Sequence, residues 1–290
     1  MHLVNRFLIV MGLLLAPAVA LASNTPACTY DGTGAVINTA QCATTPQAFD
    51  VLIYQLGLCT QNPTSGGSLD TRSCTMLINS AGTSADLSAG ASVVLSDQAI
   101  PPQGTYGYAL LVASNSIAVT NSVHYSQPMV GSAGGTGNWC WTVSGVVKEV
   151  SPSPALVACG SAPNPQPTVN KLDSFSNGCS CDPSSTGLSS DFHGQTGVAA
   201  VAGGTMQATL ATNNNSFATA ADFPDNITRV IAVETFANPV VINANTLGLK
   251  LQFTVSNASV PAQNGGNGQG FGARVYAYEV SAFSVLMSTY

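Results

Sequence analysis

The sequence predicts an all-β fold: one or two antiparallel β-sandwich modules, immunoglobulin-like or jelly-roll-like, stapled by disulfides. Short runs rich in β-branched and aromatic residues recur between Gly, Pro and Asn turns, the pattern of sandwiches and barrels. Helical periodicity is sustained nowhere beyond two turns outside the N-terminal leader, and its best candidate, Ala218-Thr219-Ala220-Ala221, is short. Eight cysteines follow an export-type leader, which is the chemistry of a disulfide framework.

The elements follow in order. Phe49-Asp50-Val51-Leu52-Ile53-Tyr54-Gln55-Leu56-Gly57-Leu58 reads as a buried strand ending at Cys59, with Asn62-Pro63 and Gly66-Gly67 turning the chain beyond it. Cys74 to Asn79 and Ala91 to Leu95 are the next strands. After Pro101-Pro102, the residues Tyr106, Tyr108, Leu110 and Val112 alternate with Gly107, Ala109, Leu111 and Ala113, which predicts a half-buried strand. Asn115 is expected to turn the chain into a hairpin with Ile117, Val119, Asn121 and Val123, and Ser114 is expected at the hairpin end. Trp139 to Val143 and Val146 to Val150 complete a first module. Later strands are expected at Thr228 to Glu234, Val240 to Ile242, Leu247 to Val255 and Arg274 to Val280, the last followed by Phe283, Val285 and Met287.

The boundaries that follow are residues 1–22 as a signal peptide, 23–160 as an N-terminal β-sandwich module, 161–172 as a Pro-rich linker or crossing, and 173–290 as a C-terminal β-rich module. The leader is read from Arg6, the apolar run Phe7 to Leu15 and the small-residue site Ala20-Leu21-Ala22. That run is well short of the ~20 residues a spanning helix needs, so no membrane span is expected after cleavage. The destination is extracellular or the cell surface, with periplasm and virion as variants.

Of the 290 residues only 7% are charged, Lys+Arg 7 against Asp+Glu 13, for a net charge of −6. A typical domain carries roughly 25% charged residues, so the polar surface is built from Ser, Thr, Asn, Gln and Gly. No Lys/Arg cluster offers counterion release, which excludes a nucleic-acid partner. With 45% hydrophobic residues the chain buries a core and is not disordered.

Neighbouring cysteines pair most simply as Cys28–Cys42, Cys59–Cys74 and Cys140–Cys159, each closing a short loop worth ~3 kcal/mol in the chain-entropy model. Cys179 and Cys181 bond each other across one strained residue, or each reaches another cysteine; spacing leaves both open.

Candidate chemistry is sparse. Beyond the leader the histidines are His124 and His193. Asp191-Phe192-His193 offers a base and its orienter, but no Gly-x-Ser-x-Gly elbow accompanies it, so no catalytic residue is assigned. Cys179, Cys181, Asp182, Asp191 and His193 match no firm zinc spacing, and Asp222-Phe223-Pro224-Asp225-Asn226 lacks the alternating acidic ladder of a calcium loop, so no metal or cofactor is expected. Trp139 and Trp141 flank Cys140 and share the face opposite to it; core packing is their commoner fate, a sugar platform the sharper one. Asn214, Asn226 and Asn257 head glycosylation-type triplets that chance alone supplies in a chain so rich in Asn, Ser and Thr.

The run from Phe49 to Thr60, followed by Cys74, the strand start Gly104-Thr105-Tyr106-Gly107-Tyr108 and the Trp139-Cys140-Trp141 strand, resembles the N-terminal part of secreted β-rich proteins of marine bacterioplankton and their viruses. Pro239 to Ile242, Leu247 to Leu249, Phe253 to Asn257 and Ala282 to Val285 are similar to their C-terminal part. The resemblance covers about half of the chain and implies a particle or surface component with no catalytic residues to transfer. The expected function is therefore a non-enzymatic structural or adhesive component of a cell surface, filament or virion, its partners being copies of itself or other surface or particle proteins. A carbohydrate-binding, lectin-like module that takes surface glycans is the alternative, and a chaperone-dependent pilus subunit completed by a donated strand is the second.

Overall fold

The structure is a computed structural model that describes residues 26–37, 42–87, 92–95, 100–148, 156–172, 196–201, 203–222, 225–263, 274–280 and 284–290. Its strands are β1 (Ala48–Cys59), β2 (Cys74–Asp86), β3 (Ser92–Leu95), β4 (Gly104–Thr120), β5 (Ser122–Gly131), β6 (Thr136–Thr142), β7 (Gly145–Lys148) and β8 (Val157–Gly160). They continue as β9 (Thr168–Lys171), β10 (Thr196–Val201), β11 (Gly204–Ala211), β12 (Arg229–Ile242), β13 (Leu249–Thr254), β14 (Ser259–Gln263), β15 (Arg274–Val280) and β16 (Ser284–Thr289). Apart from one 3-10 turn at Ala220–Asp222, the described residues form strands, turns and loops, so the fold is all-β. Among them no helix is long and apolar enough to cross a membrane.

Three sheets form. The largest runs β10-β11-β12-β4-β1-β2, with β9 also on β4 and β7 on β9; the second is β16-β13-β3 and the third β14-β15-β5-β6-β8. Pairing is antiparallel except for short parallel contacts between β15 and β5 and between β7 and β9. The main core places Phe49, Val51 and Leu111 of the large sheet with Leu251 and Phe253 of the β13 sheet, a sandwich-like contact between inner faces. A separate cluster, Val123, Tyr125, Cys140, Cys159, Val275 and Tyr278 among its members, fills the inner side of the third sheet.

Strands from both halves share these sheets. β12 lies along β4, and β15 reaches β5. Strands of the stretches 23–160 and 173–290 thus pair with one another within the same sheets. Within the Pro-rich stretch 161–172, β9 pairs with Ser116 to Val119 of β4.

The β4 strand corrects two local expectations. It is buried on both faces, since Leu110 and Val112 pack with Ile231 and Val233 while Leu111 and Ala113 point into the main core. Nor does the chain turn at Asn115, for β4 runs unbroken for 17 residues. β12 pairs with β4 up to Ser114 and β9 resumes at Ser116, so Asn115 marks the gap between two strands laid end to end along one side of β4. Its Nδ2 closes that gap by donating to Leu172 O and Ile227 O, both at 2.9 Å. A small polar residue suits the position because helixless backbone ends would otherwise be buried without donors. Ser114 is accordingly buried rather than at a hairpin end.

A second buried polar joint sits where β4 passes into β5. Asn121, 1% exposed, donates from Nδ2 to Thr44 Oγ1 (2.8 Å) and Ser259 Oγ (3.1 Å), and exchanges hydrogen bonds with Thr142. The joint ties the third sheet to the large one. The disulfides are Cys28–Cys42, Cys59–Cys74 and Cys140–Cys159, as the spacing predicts. Cys179 and Cys181 lie outside the described residues.

Candidate functional site

The site is built from period-two alternation in three adjacent strands. Along β5, Val123 and Tyr125 are buried, which turns Ser122 and His124 outward. Along β6, Cys140 and Thr142 are buried, which turns Trp139 and Trp141 outward. Along β8, Val157 and Cys159 are buried, which turns Ala158 and Gly160 outward. Register then sets the neighbours: His124, Trp139 and Gly160 form one row across the sheet, and Ser122, Trp141 and Ala158 the next.

The two indoles are thus half-buried on the outer face rather than in the core. The His124 ring stacks on Trp139 with centroids 4.7 Å apart and planes 18° from parallel, so one indole face is taken and the ring is held upright. Trp141 leans over Gly160, where an added Cβ would come within 3.1 Å of Cη2. Ala158 and Gly160 are the small outward residues that pair with Trp141 and Trp139 on the edge strand β8. Cys140 and Cys159, directly opposed in the ladder, are bridged immediately behind them, so the platform rests on covalently joined strands.

A polar rim borders the rings. The turn Asp31 to Ala35 docks on β5 through Val36 N–H donating to His124 O at 2.7 Å. Asp31 Oδ1 accepts from Thr33 Oγ1 (2.7 Å), Thr33 N–H (2.8 Å) and Ala35 N–H (2.9 Å), and these bonds hold its carboxyl below the usual carboxylate range, with a smaller pull from nearby His124. At the other end Gln47 Nε2 donates to Ser122 Oγ at 2.8 Å. β5, β6 and β8 carry no Lys, Arg, Asp or Glu.

Sequence reasoning placed Trp139 and Trp141 on one face and missed His124 and Asp31. Nothing local signals them, because they reach the indoles only through strand pairing and a docked turn. Elsewhere, Asp222 and Asp225 line a polar hollow of about 430 Å³ with Thr212, Asn214, Phe217 and Asn226. The Asp222 carboxylate is engaged there by Thr219 N–H and Oγ1, which lower its pKa. Among the described residues no three His, Cys, Asp or Glu side chains form a metal-ligand group. Asp182, Asp191 and His193 lie outside the described residues.

No family model, curated protein or solved structure matches this chain.

Proposed function

We propose that the chain is an exported, non-enzymatic component of a cell surface, filament or virion, adhesive in action and held in place by other copies of itself or by particle proteins. The observation that carries this reading is the outward aromatic row of Trp139 and Trp141, braced from behind by the Cys140–Cys159 bridge. Large rings kept partly exposed on a rigid strand platform serve contact, since full burial would stabilise the fold more. The leader, the disulfides and the low charge support an oxidising, extracellular setting, and the resemblance to secreted particle proteins agrees with it. The pilus reading is disfavoured by the N-terminal region, which is bridged by Cys28–Cys42 and bonded to its own chain through Thr44 N–H on Ser259 O (2.7 Å). Such a segment is not available for donation to a neighbour.

Fractionation of the source with an antibody to the recombinant protein tests the proposal. The protein is expected to sediment with washed envelopes or particles. Recovery only as free protein in the medium, or inside the cell, would refute it.

A further inference from the structure

We propose that the outer face of β5, β6 and β8 binds a neutral glycan, with Trp141 as one stacking ring, Trp139 as the ring backed by His124, and the Asp31 turn and the Gln47–Ser122 pair as the polar rim. This ligand class rests on the adhesive reading of the same face.

Three observations select it. Both indoles are present on one face at alternate positions of one strand, roughly 6.6 Å apart along it from the ~3.3 Å strand rise, a spacing that presents two ring surfaces to one extended ligand. The negative face of an indole attracts the weakly positive C–H groups on the apolar side of a sugar ring, while the ring's apolar body is shed from water. The rim then supplies what the hydroxyls need: a carboxylate held ionised at Asp31 as an acceptor, and amide and hydroxyl groups at Gln47 and Ser122. Finally, the three strands hold no Lys or Arg, so phosphate, sulfate and uronate groups find no cation there, and the one acid at the rim repels them.

Pre-organisation strengthens the case. A stacking ring that changes rotamer on binding loses conformational freedom. Here His124 already holds Trp139, the Gly160 gap seats Trp141, and the bridge between Cys140 and Cys159 fixes the strands below.

Native affinity electrophoresis of the disulfide-intact protein tests this, in gels containing a soluble β-glucan, a galactomannan or, as the anionic probe, polygalacturonate. Retardation by at least one neutral polysaccharide and none by polygalacturonate is expected. Trp141→Ala should weaken it at least tenfold, and Trp141→Phe should restore most of it. Ala158→Arg leaves both indoles in place but sets a long cation beside Trp141, and should weaken binding at least tenfold with an unchanged melting temperature; Leu247→Ala, at an apolar residue 72% exposed elsewhere, should leave it unchanged. Absence of retardation by every neutral polysaccharide, retardation by polygalacturonate alone, or wild-type binding by both Trp141→Ala and Ala158→Arg would each overturn the proposal. Sedimentation with envelopes or particles without glycan binding would overturn this inference alone, whereas glycan binding by a protein free in the medium would overturn the surface reading alone.

Discussion

Replacing Asn115 separates a turn from a buried clamp. The side chain is 2% exposed and its Nδ2 satisfies two carbonyls, Leu172 O and Ile227 O, that flank the break between β9 and β12. Asn115→Ala leaves both without that donor. At about 1–2 kcal/mol for each buried acceptor left unpaired, the loss is about 2–4 kcal/mol, a large part of a domain stability of ~5–15 kcal/mol. Asn115→Gly should be worse still by about 0.5–1 kcal/mol, because glycine adds chain entropy inside a strand. A turn would give the reverse order, since glycine relieves a left-handed asparagine. Among the described residues the non-glycines with positive φ are Asn215 and Asn257, and Asn115 is not one of them. Asn115→Asp keeps the shape but aims carboxylate oxygens at two carbonyls, so it should be the least stable at neutral pH and recover as acid protonates it. The assay is guanidinium denaturation with disulfides intact, followed by tryptophan fluorescence and far-UV circular dichroism. An Asn115→Ala loss below about 0.5 kcal/mol, the range of an ordinary surface change, or Asn115→Gly more stable than Asn115→Ala, would refute the clamp.

Leu110→Asp, placing a carboxylate in the core beside Ile231, should cost several kcal/mol and prevent recovery of folded protein, whereas Thr105→Asp at an exposed position of the same strand should stay within about 0.5 kcal/mol; equal behaviour in the same denaturation assay would contradict the placement of β4. Asn257, at φ 62° between β13 and β14, should accept Gly within about 0.5 kcal/mol, while Asn257→Val should lose about 1–2 kcal/mol from left-handed strain, read as a shift in denaturation midpoint. Asp50 faces Asp86 across the β1–β2 ladder, and partial burial first, then the Asp86 charge, raise its pKa above the ordinary 3.8. A raised folded-state pKa means stability that is full below the unfolded value and is lost as pH rises through the folded one. Asp50→Asn should therefore melt higher than the wild type at pH 7, the difference vanishing below about pH 4; a variant that melts lower at pH 7 would contradict it.

Faces were legible in the sequence wherever the signal was local. The period-two pattern from Trp139 to Thr142 places both indoles opposite Cys140 with no knowledge of neighbouring strands, because alternation is a property of one extended backbone. Short loops made the Cys28–Cys42, Cys59–Cys74 and Cys140–Cys159 pairs readable for the same reason: over separations of 14, 15 and 19 residues the chain brings nearby thiols together at the least entropic cost. The apolar run around Leu110 likewise announced a strand. It did not announce two buried faces, since alternating large and small apolar residues fit a half-buried strand as well as a central one.

The sequence by itself determined the all-β class, the existence of most strands and which side chains share a face. Tertiary structure alone decided which strands meet. The ladder of β12 against β4 joins residues more than a hundred positions apart, and no local propensity encodes that partner. Asn115 reads as a turn residue by composition, yet it acts as a clamp because carbonyls 57 and 112 positions away end beside it. His124 acquires its place on Trp139 in the same way, through β5–β6 register rather than through anything near it in the chain. Backbone pattern fixes direction residue by residue, whereas pairing is chosen by the burial and hydrogen bonding of the whole assembled core, so the candidate site became visible only once the sheets were formed.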